Sequence, residues 1–318
     1  MNSIYKTYNL RQIMKKLRAT ITAKIIVYLR FYWIILFLKR FQNIKLVRKL
    51  TKYFDPNWLR KISGFVYSPL IKIITWNKVK LYVDINDHIG FRSFIKNEPF
   101  EMSVFHVAKN MGLNKNDCIL DIGANIGHAS VPICKELSCS LIAIEASKEN
   151  ASLLLKNISI NNIKAEVLIS ALVSPKFKED YIKLYIRNGN RGANSLLEKW
   201  NPSFSGDDYE WAPCLTLDNL LNNVMDSKKI KLIKIDVEGM EYEVLTGGIN
   251  FIKKSKIPIL MEYRLDKNTK TKLKKILIML KKIYNINGID EMGKKIIFNP
   301  EESYENILFE RKNNKPRK

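Results

Sequence analysis

Histidine is nearly missing from this chain of 318 residues: only His88, His106 and His128 are present, too few for a histidine-rich metal site. The four cysteines, Cys118, Cys134, Cys139 and Cys214, show none of the paired spacings that hold metals. Cys118 and Cys134 fall in apolar stretches and read as reduced core fillers, which points to the cytoplasm rather than a secretory compartment. A long apolar run is missing too. Within residues 21–41 the longest stretch without charge is Phe31 to Leu38, eight residues. A spanning helix needs ~20, so no transmembrane helix is expected. The segment is also too charged, and too far from the first residue, for an ordinary signal peptide. There is no internal repeat.

Acids are scarce in one region. Residues 1–60 hold fourteen Lys and Arg against a single acid, Asp55. Residues 264–318 hold fifteen basic and seven acidic residues, and 61–263 are nearly balanced at twenty-five and twenty-three. The net charge of +23 therefore sits on the flanks. A general richness in Lys, Ile and Asn explains the C-terminal excess as well as a partner would, but it does not explain missing acids. A basic flank calls for an anionic partner: a membrane surface, a nucleic acid or an acidic glycan. Residues 21–41 mix Ile25, Tyr28, Phe31, Trp33 and Phe37 with Lys24, Arg30, Lys39 and Arg40. That mixture suits a helix lying in the plane of an anionic membrane. Packing on the rest of the protein, or on a second copy, is the alternative.

The most informative stretch is Ile119-Leu120-Asp121-Ile122-Gly123-Ala124-Asn125-Ile126-Gly127. An apolar strand ends in an acid, a glycine turn follows, and a helical segment runs from His128 to Leu137. Glycines let a ligand approach the backbone, and a helix start offers free N–H groups. About twenty residues on, Leu141-Ile142-Ala143-Ile144-Glu145 repeats the strand that ends in an acid. Such an acid accepts hydrogen bonds from ribose hydroxyls. A dinucleotide site would carry Gly-x-Gly-x-x-Gly, yet Asn125 replaces the middle glycine and Asp121 would repel phosphate. An acid there suits an ammonium. A ligand with an ammonium and a ribose but no phosphate is S-adenosylmethionine. Gly123, Ala124, Asn125, Gly127, Asp121 and Glu145 are thus the cofactor-binding candidates, and Ala171, just past the strand at 165–170, is counted with them.

Two more strands end in acids: Ile230–Ile235 runs into Asp236-Val237-Glu238-Gly239-Met240-Glu241, and Pro258–Met261 runs into Glu262-Tyr263. Ligands of open parallel sheets bind beyond the carboxyl ends of the strands. Asp121, Glu145, Asp236 and Glu262 are expected on one rim.

These blocks resemble the FkbM family of S-adenosylmethionine-dependent methyltransferases. The resemblance rests on Asp121–Gly127, Glu145, Thr216-Leu217-Asp218, Lys234–Glu241 and Pro258–Glu262, with Glu98-Pro99 and Ile307–Phe309 as further matching positions. It covers roughly residues 84–312. Where the family usually has proline after the ribose acid, this chain has Ala146; where it usually has an aromatic residue after the glycine turn, His128 stands. The resemblance implies an O-methyltransferase for a hydroxyl of a glycan or other small molecule. Family members often serve polysaccharide or natural-product pathways. With the basic N-terminus, a lipid-linked acceptor at the cytoplasmic membrane face is expected. An RNA methyltransferase gripping RNA with its basic flanks is the rival, weakened by the lack of any RNA-module pattern. A non-catalytic binding protein on the same fold is opposed by the intact acids.

The expected fold is α/β: a doubly wound, Rossmann-like class I methyltransferase sheet with strands near 117–122, 140–145, 165–170, 230–236 and 257–263. Ile283–Ile286 and Ile307–Phe309 close it as a final antiparallel pair. Before it stand a basic, aromatic helical extension (1–60) and a short β-rich segment (61–97) with strands at Val66-Tyr67, Ile71–Ile74 and Val79–Val83. The methyltransferase domain spans 98–312, opening with a helix from Glu98 to about Gly112. The basic tail, 313–318, is expected to be disordered. Arg187–Ser205, rich in Gly, Asn and Ser, reads as a substrate-facing loop. For catalysis, Asp236 and Glu262 are the candidate bases, with Glu238 beside them. A divalent cation held by these acids would do the same work and is left open.

Overall fold

The computed structural model describes residues 70–187, 189–198, 208–223, 229–266 and 269–312, together with Trp33, Leu36, Phe37, Lys39 and Arg40, which are helical. The expectations for the rest of residues 1–69, including Val66-Tyr67, and for the tail lie outside these residues. Among the described residues no helix is long and apolar enough to cross a membrane.

Strand β1 (Ile71–Trp76) and β2 (Val79–Asp84) form an antiparallel hairpin whose turn is made possible by Asn77 at φ 51°. Their residues alternate between buried and more exposed positions over most of the hairpin, and both lie where strands are expected from the sequence. The lead-in segment, expected to be β-rich, ends instead in a helix, α1 (His88–Lys96). Asp87 caps it, accepting from the N–H groups of Ile89 and Gly90, and Phe91, Phe94 and Ile95 form its buried face. Helix α2 (Met102–Asn110) starts later than expected because Glu101, two residues beyond Pro99, takes a left-handed conformation at φ 62°.

The doubly wound core follows: β3 (Cys118–Ile122), α3 (Ser130–Leu137), β4 (Ser140–Glu145), α4 (Lys148–Ile160) and β5 (Ala165–Ile169). A small sheet of β6 (Ala171–Leu172), β7 (Tyr181–Tyr185) and β8 (Tyr209–Leu215) was not foreseen. Then come α5 (Leu217–Asn223), β9 (Ile230–Ile235), α6 (Glu241–Gly247), α7 (Ile249–Ser255), β10 (Ile259–Tyr263), α8 (Lys270–Leu280), β11 (Tyr284–Ile289), β12 (Lys295–Ile296) and β13 (Tyr304–Arg311).

The main sheet has eight strands in the order β12-β11-β13-β10-β9-β3-β4-β5. Strands β10, β9, β3, β4 and β5 run parallel, while β13 is antiparallel to both β10 and β11. This is the Rossmann-like order with the antiparallel closing pair. Because both faces are covered, the central strands are apolar on both sides. Ile119, Leu141 and Leu232 pack against α1 to α4 and the hairpin. Leu120, Ile142, Ile233 and Met261 pack against α5 to α8. The outer edge of β2 is tied to α4 by two amides one helical turn apart. Asn157 Oδ1 accepts from Tyr82 N at 2.6 Å, and Asn161 Oδ1 from Lys80 N at 2.9 Å. Winding runs outward from β3 to β4 and β5, then returns to β9 on the other side. The crevice at that reversal opens above the carboxyl ends of β3, β4 and β9.

Candidate functional site

A cleft of about 1030 Å³, measured out to its open mouth, occupies this crevice. Gly123, Ala124, Asn125, Glu145, Ala171, Asp236, Glu238 and Glu262 all line it. Gly123 has φ +79°, and a Cβ there would fall 1.7 Å from the carbonyl oxygen of Asp236, so the turn tolerates nothing larger. Gly127, at φ +85°, stands behind the lining, where a Cβ would meet Val131 and Leu154; its part is to bring α3 close to α4. Helix α3 begins at Ser130, two residues later than the sequence suggested, and Ala129 offers it no side-chain cap.

At one end of the cleft, the Glu145 carboxylate accepts from Asn125 N at 2.7 Å and from Ser147 N at 2.8 Å. Those backbone bonds hold the side chain across the glycine turn while each oxygen keeps a lone pair for a ligand. Burial pushes the carboxyl up to about 7, against the pull of the two N–H groups. Asn150 and Ser170 line the same end.

The other end is a field of acids set around two cations. Lys234 is buried, and its Nζ lies 3.4 Å from Glu101, 3.4 Å from Asp236 and 3.7 Å from Asp121. Asp121 is fully buried beneath the lining rather than in it, and Lys234 supplies its counter-charge. Burial raises Glu101 to about 8, with Lys234 pulling down and Asp236 pushing up. For Asp236, burial also works upward, but Lys234 and the hydrogen bonds from Glu101 and Lys234 outweigh it and hold the carboxyl below its ordinary value. The second cation is Arg264, whose guanidinium reaches Glu262 at 2.6 Å and Glu238 at 3.2 Å. Burial, then the charges of Asp236 and Glu238, drive Glu262 well above the usual carboxylate range. Carboxylate oxygens of Asp236, Glu238 and Glu262 lie within 4.8 Å of one another, close enough to share a cation. Glu241 caps the turn before its own helix instead, accepting from the N–H groups of Val237 and Gly239.

His128 lines the cleft, fully enclosed, with neither ring nitrogen hydrogen-bonded. Burial and the charge of Lys234 lower it to about 3, so it faces the cleft as a neutral imidazole. Among the described residues of the stretch after β7, Arg191, Asn194 and Ser195 line the cleft. Ser195 Oγ donates to the Glu238 carbonyl at 2.7 Å, fixing loop to rim. Thr216 caps α5, while Asp218 reaches onward to the N–H groups of Asn250 and Phe251 and starts α7.

Glu101, Arg264 and Arg191 were not picked out from the sequence. Arg264 follows the end of β10 two residues beyond Glu262, and a cation so close to a strand-end acid is the signal that marks it. Glu101 was not, since only its left-handed backbone turns it toward Lys234.

The sequence profile described as "Methyltransferase FkbM domain" matches residues 121–314. No curated protein matches the chain. Among solved structures, it is similar to methyltransferase FkbM from Methylobacillus flagellatus, at 15% identity over 72% of this chain and 56% of that one, with a TM-score of 0.41. It is also similar to the Pyrococcus abyssi tRNA (uracil-54, C5)-methyltransferase in complex with S-adenosyl-L-homocysteine, at 11% identity over 76% and 44%, TM-score 0.38. An rRNA methylase from Streptococcus thermophilus aligns at 8% identity over 67% and 97%, TM-score 0.37. The chain thus spans about half the length of the first two.

Proposed function

The chain belongs to the FkbM methyltransferase family, and we propose that it methylates a hydroxyl of a glycan or other small-molecule acceptor, using S-adenosylmethionine. The observation that carries this reading is the division of one cleft into a backbone-anchored end at Glu145 and an acid-rich end at Asp236 and Glu262. The residues present fit the cofactor. Gly123 leaves room against the backbone where any side chain would collide. Glu145 has lone pairs for the ribose hydroxyls. Asp121, buried under the lining against Lys234, does not reach the ligand's ammonium, as the sequence suggested it would. S-adenosylmethionine supplies an electrophilic methyl group on a sulfonium.

The protein's own work is alignment and proton removal. Asp236, ionised beside Lys234, would take the proton of the acceptor hydroxyl as that oxygen receives the methyl group. Lys234 keeps Asp236 charged at neutral pH. Glu262, held by Arg264, orients the acceptor through a second hydroxyl. Arg264 also balances Glu238, so the acid cluster already has a protein cation. Whether a divalent cation joins it is decided by a chelator. Loss of turnover restored by magnesium places a metal there, and unchanged turnover leaves the work to Arg264. Residues 1–60 would bring the enzyme to an anionic membrane carrying a lipid-linked acceptor, and that attraction weakens with salt.

The test is methyl transfer from labelled S-adenosylmethionine to separated polysaccharide, glycolipid and RNA fractions of the native host. The reading requires alkali-stable label in a glycan-containing fraction. Label confined to RNA overturns it.

A further inference from the structure

One face of the β7–β8 pair carries a row of rings that the cleft chemistry does not use. The register sets Lys183 opposite Trp211 and Tyr185 opposite Tyr209. Since alternate residues of a strand share a face, Tyr181, Lys183, Tyr185, Tyr209 and Trp211 all point the same way. The reverse face is packed through Leu184 and Ala212. The ring face is open: Tyr181 is 58% exposed, Tyr209 46% and Trp211 53%. The rings are also ordered among themselves. Tyr209 stands 6.4 Å from Tyr185 and 6.0 Å from Trp211, and the Lys183 ammonium lies 4.2 Å over the Tyr209 ring. Contiguous exposed aromatic surface marks an interaction site.

The row leads into the cleft. Tyr185 exchanges backbone hydrogen bonds with Ser195, at 2.9 and 3.3 Å. Ser195 lines the cleft itself. We propose that this face is a platform for the saccharide chain of the acceptor, holding sugar rings that trail away from the hydroxyl being methylated. The idea rests on the glycan reading above and adds where the rest of the acceptor lies.

Local charge selects this occupant. The chain as a whole is +23, yet the ring face of β7 and β8 carries a single charged residue, Lys183. A nucleic acid or an anionic membrane needs cations to neutralise its phosphates. On the ring face the single lysine is already laid over a ring, and no cluster of cations stands beside it among the described residues. Glu210, opposite Leu184, belongs to the reverse face and accepts from Lys148 N. A pyranose asks for something else. Its C–H face is apolar with slightly positive hydrogens and fits the negative face of an aromatic ring, while its hydroxyl rim seeks acceptors such as tyrosine oxygens.

Saturation-transfer NMR on the full chain with cellohexaose, maltohexaose and chitohexaose tests this, with poly(U) and phosphatidylglycerol vesicles as the competing probes. At least one hexasaccharide should bind. The double variant Tyr209→Ala/Trp211→Ala should weaken it tenfold or more while leaving S-adenosylmethionine affinity, read by calorimetry, unchanged. The proposal is overturned if no hexasaccharide binds, or if binding survives in the variant. It is equally overturned if the variant loses instead poly(U) binding, vesicle binding or, by sedimentation, self-association. Failure of the wild type to bind S-adenosylmethionine would count against the methyltransferase reading and not against the platform, so the two can fail separately.

Discussion

The two ends of the cleft are built on different principles. At the Glu145 end, position comes from the backbone: a glycine turn, two N–H donors and a carboxylate spanning them, all within residues 121–147. At the Asp236 end, position comes from side chains of distant segments. Lys234 gathers Glu101, Asp121 and Asp236, and Arg264 gathers Glu238 and Glu262. A backbone-built site is stable to change around it and shared across acceptors. A site built from opposed charges is tunable, and each of its members depends on the others.

The largest effect should follow from breaking the charge-built end at its centre. Lys234→Met leaves Asp121 and Asp236 without their buried counter-charge. Removing one partner of a buried ion pair costs about 3–5 kcal/mol, so urea unfolding should show a loss of that size. A loss under about 1 kcal/mol would mean that the acids take up protons at little cost, and that Lys234 does not organise them. Next in size is Asp236→Asn, which keeps shape and removes charge. Methyl transfer should fall roughly a hundredfold or more with cofactor affinity unchanged. Near-full turnover would move the proton acceptor elsewhere, with Glu101 the first candidate.

Smaller effects sharpen the contrast. Arg264→Gln frees Glu238 and Glu262, and the acceptor's apparent Michaelis constant should rise several-fold while the cofactor end is untouched. The weakest expected signal is a pH slope at the backbone-built end. Burial raises Glu145 from 4.5 to about 7. Its folded carboxyl is therefore favoured as the neutral form. The associated stability is complete below pH 4.5 and is lost as pH rises through about 7. Cofactor binding has the opposite sign, because the ribose hydroxyls bind best to the ionised form. Affinity should increase as pH rises through 7, and Glu145→Gln should flatten both slopes.

The same contrast explains what could be read from the sequence. The order of buried strands, the glycine turn and the acids at strand ends are local patterns, and the Rossmann-like sheet with its closing antiparallel pair followed from them. Helix α1 was missed because Asp87, which looks like a turn residue, acts as its cap. The β6–β8–β7 sheet was missed because its strands are short or exposed and far apart in the chain. Glu101 could not be placed, since it reaches Lys234 across the crevice from a left-handed position that no neighbouring residue announces.

The central claim is that a cofactor end and a chemistry end divide one cleft. Calorimetric titration of S-adenosylmethionine into the wild type, Glu145→Ala and Asp236→Asn tests it most directly. Hydrogen bonds to a charged group contribute about 1.5–3 kcal/mol, so Glu145→Ala should bind tenfold or more weakly. Asp236→Asn should bind like the wild type. Equal affinity across all three folded proteins, or tight binding of NADH in place of S-adenosylmethionine, would contradict the account.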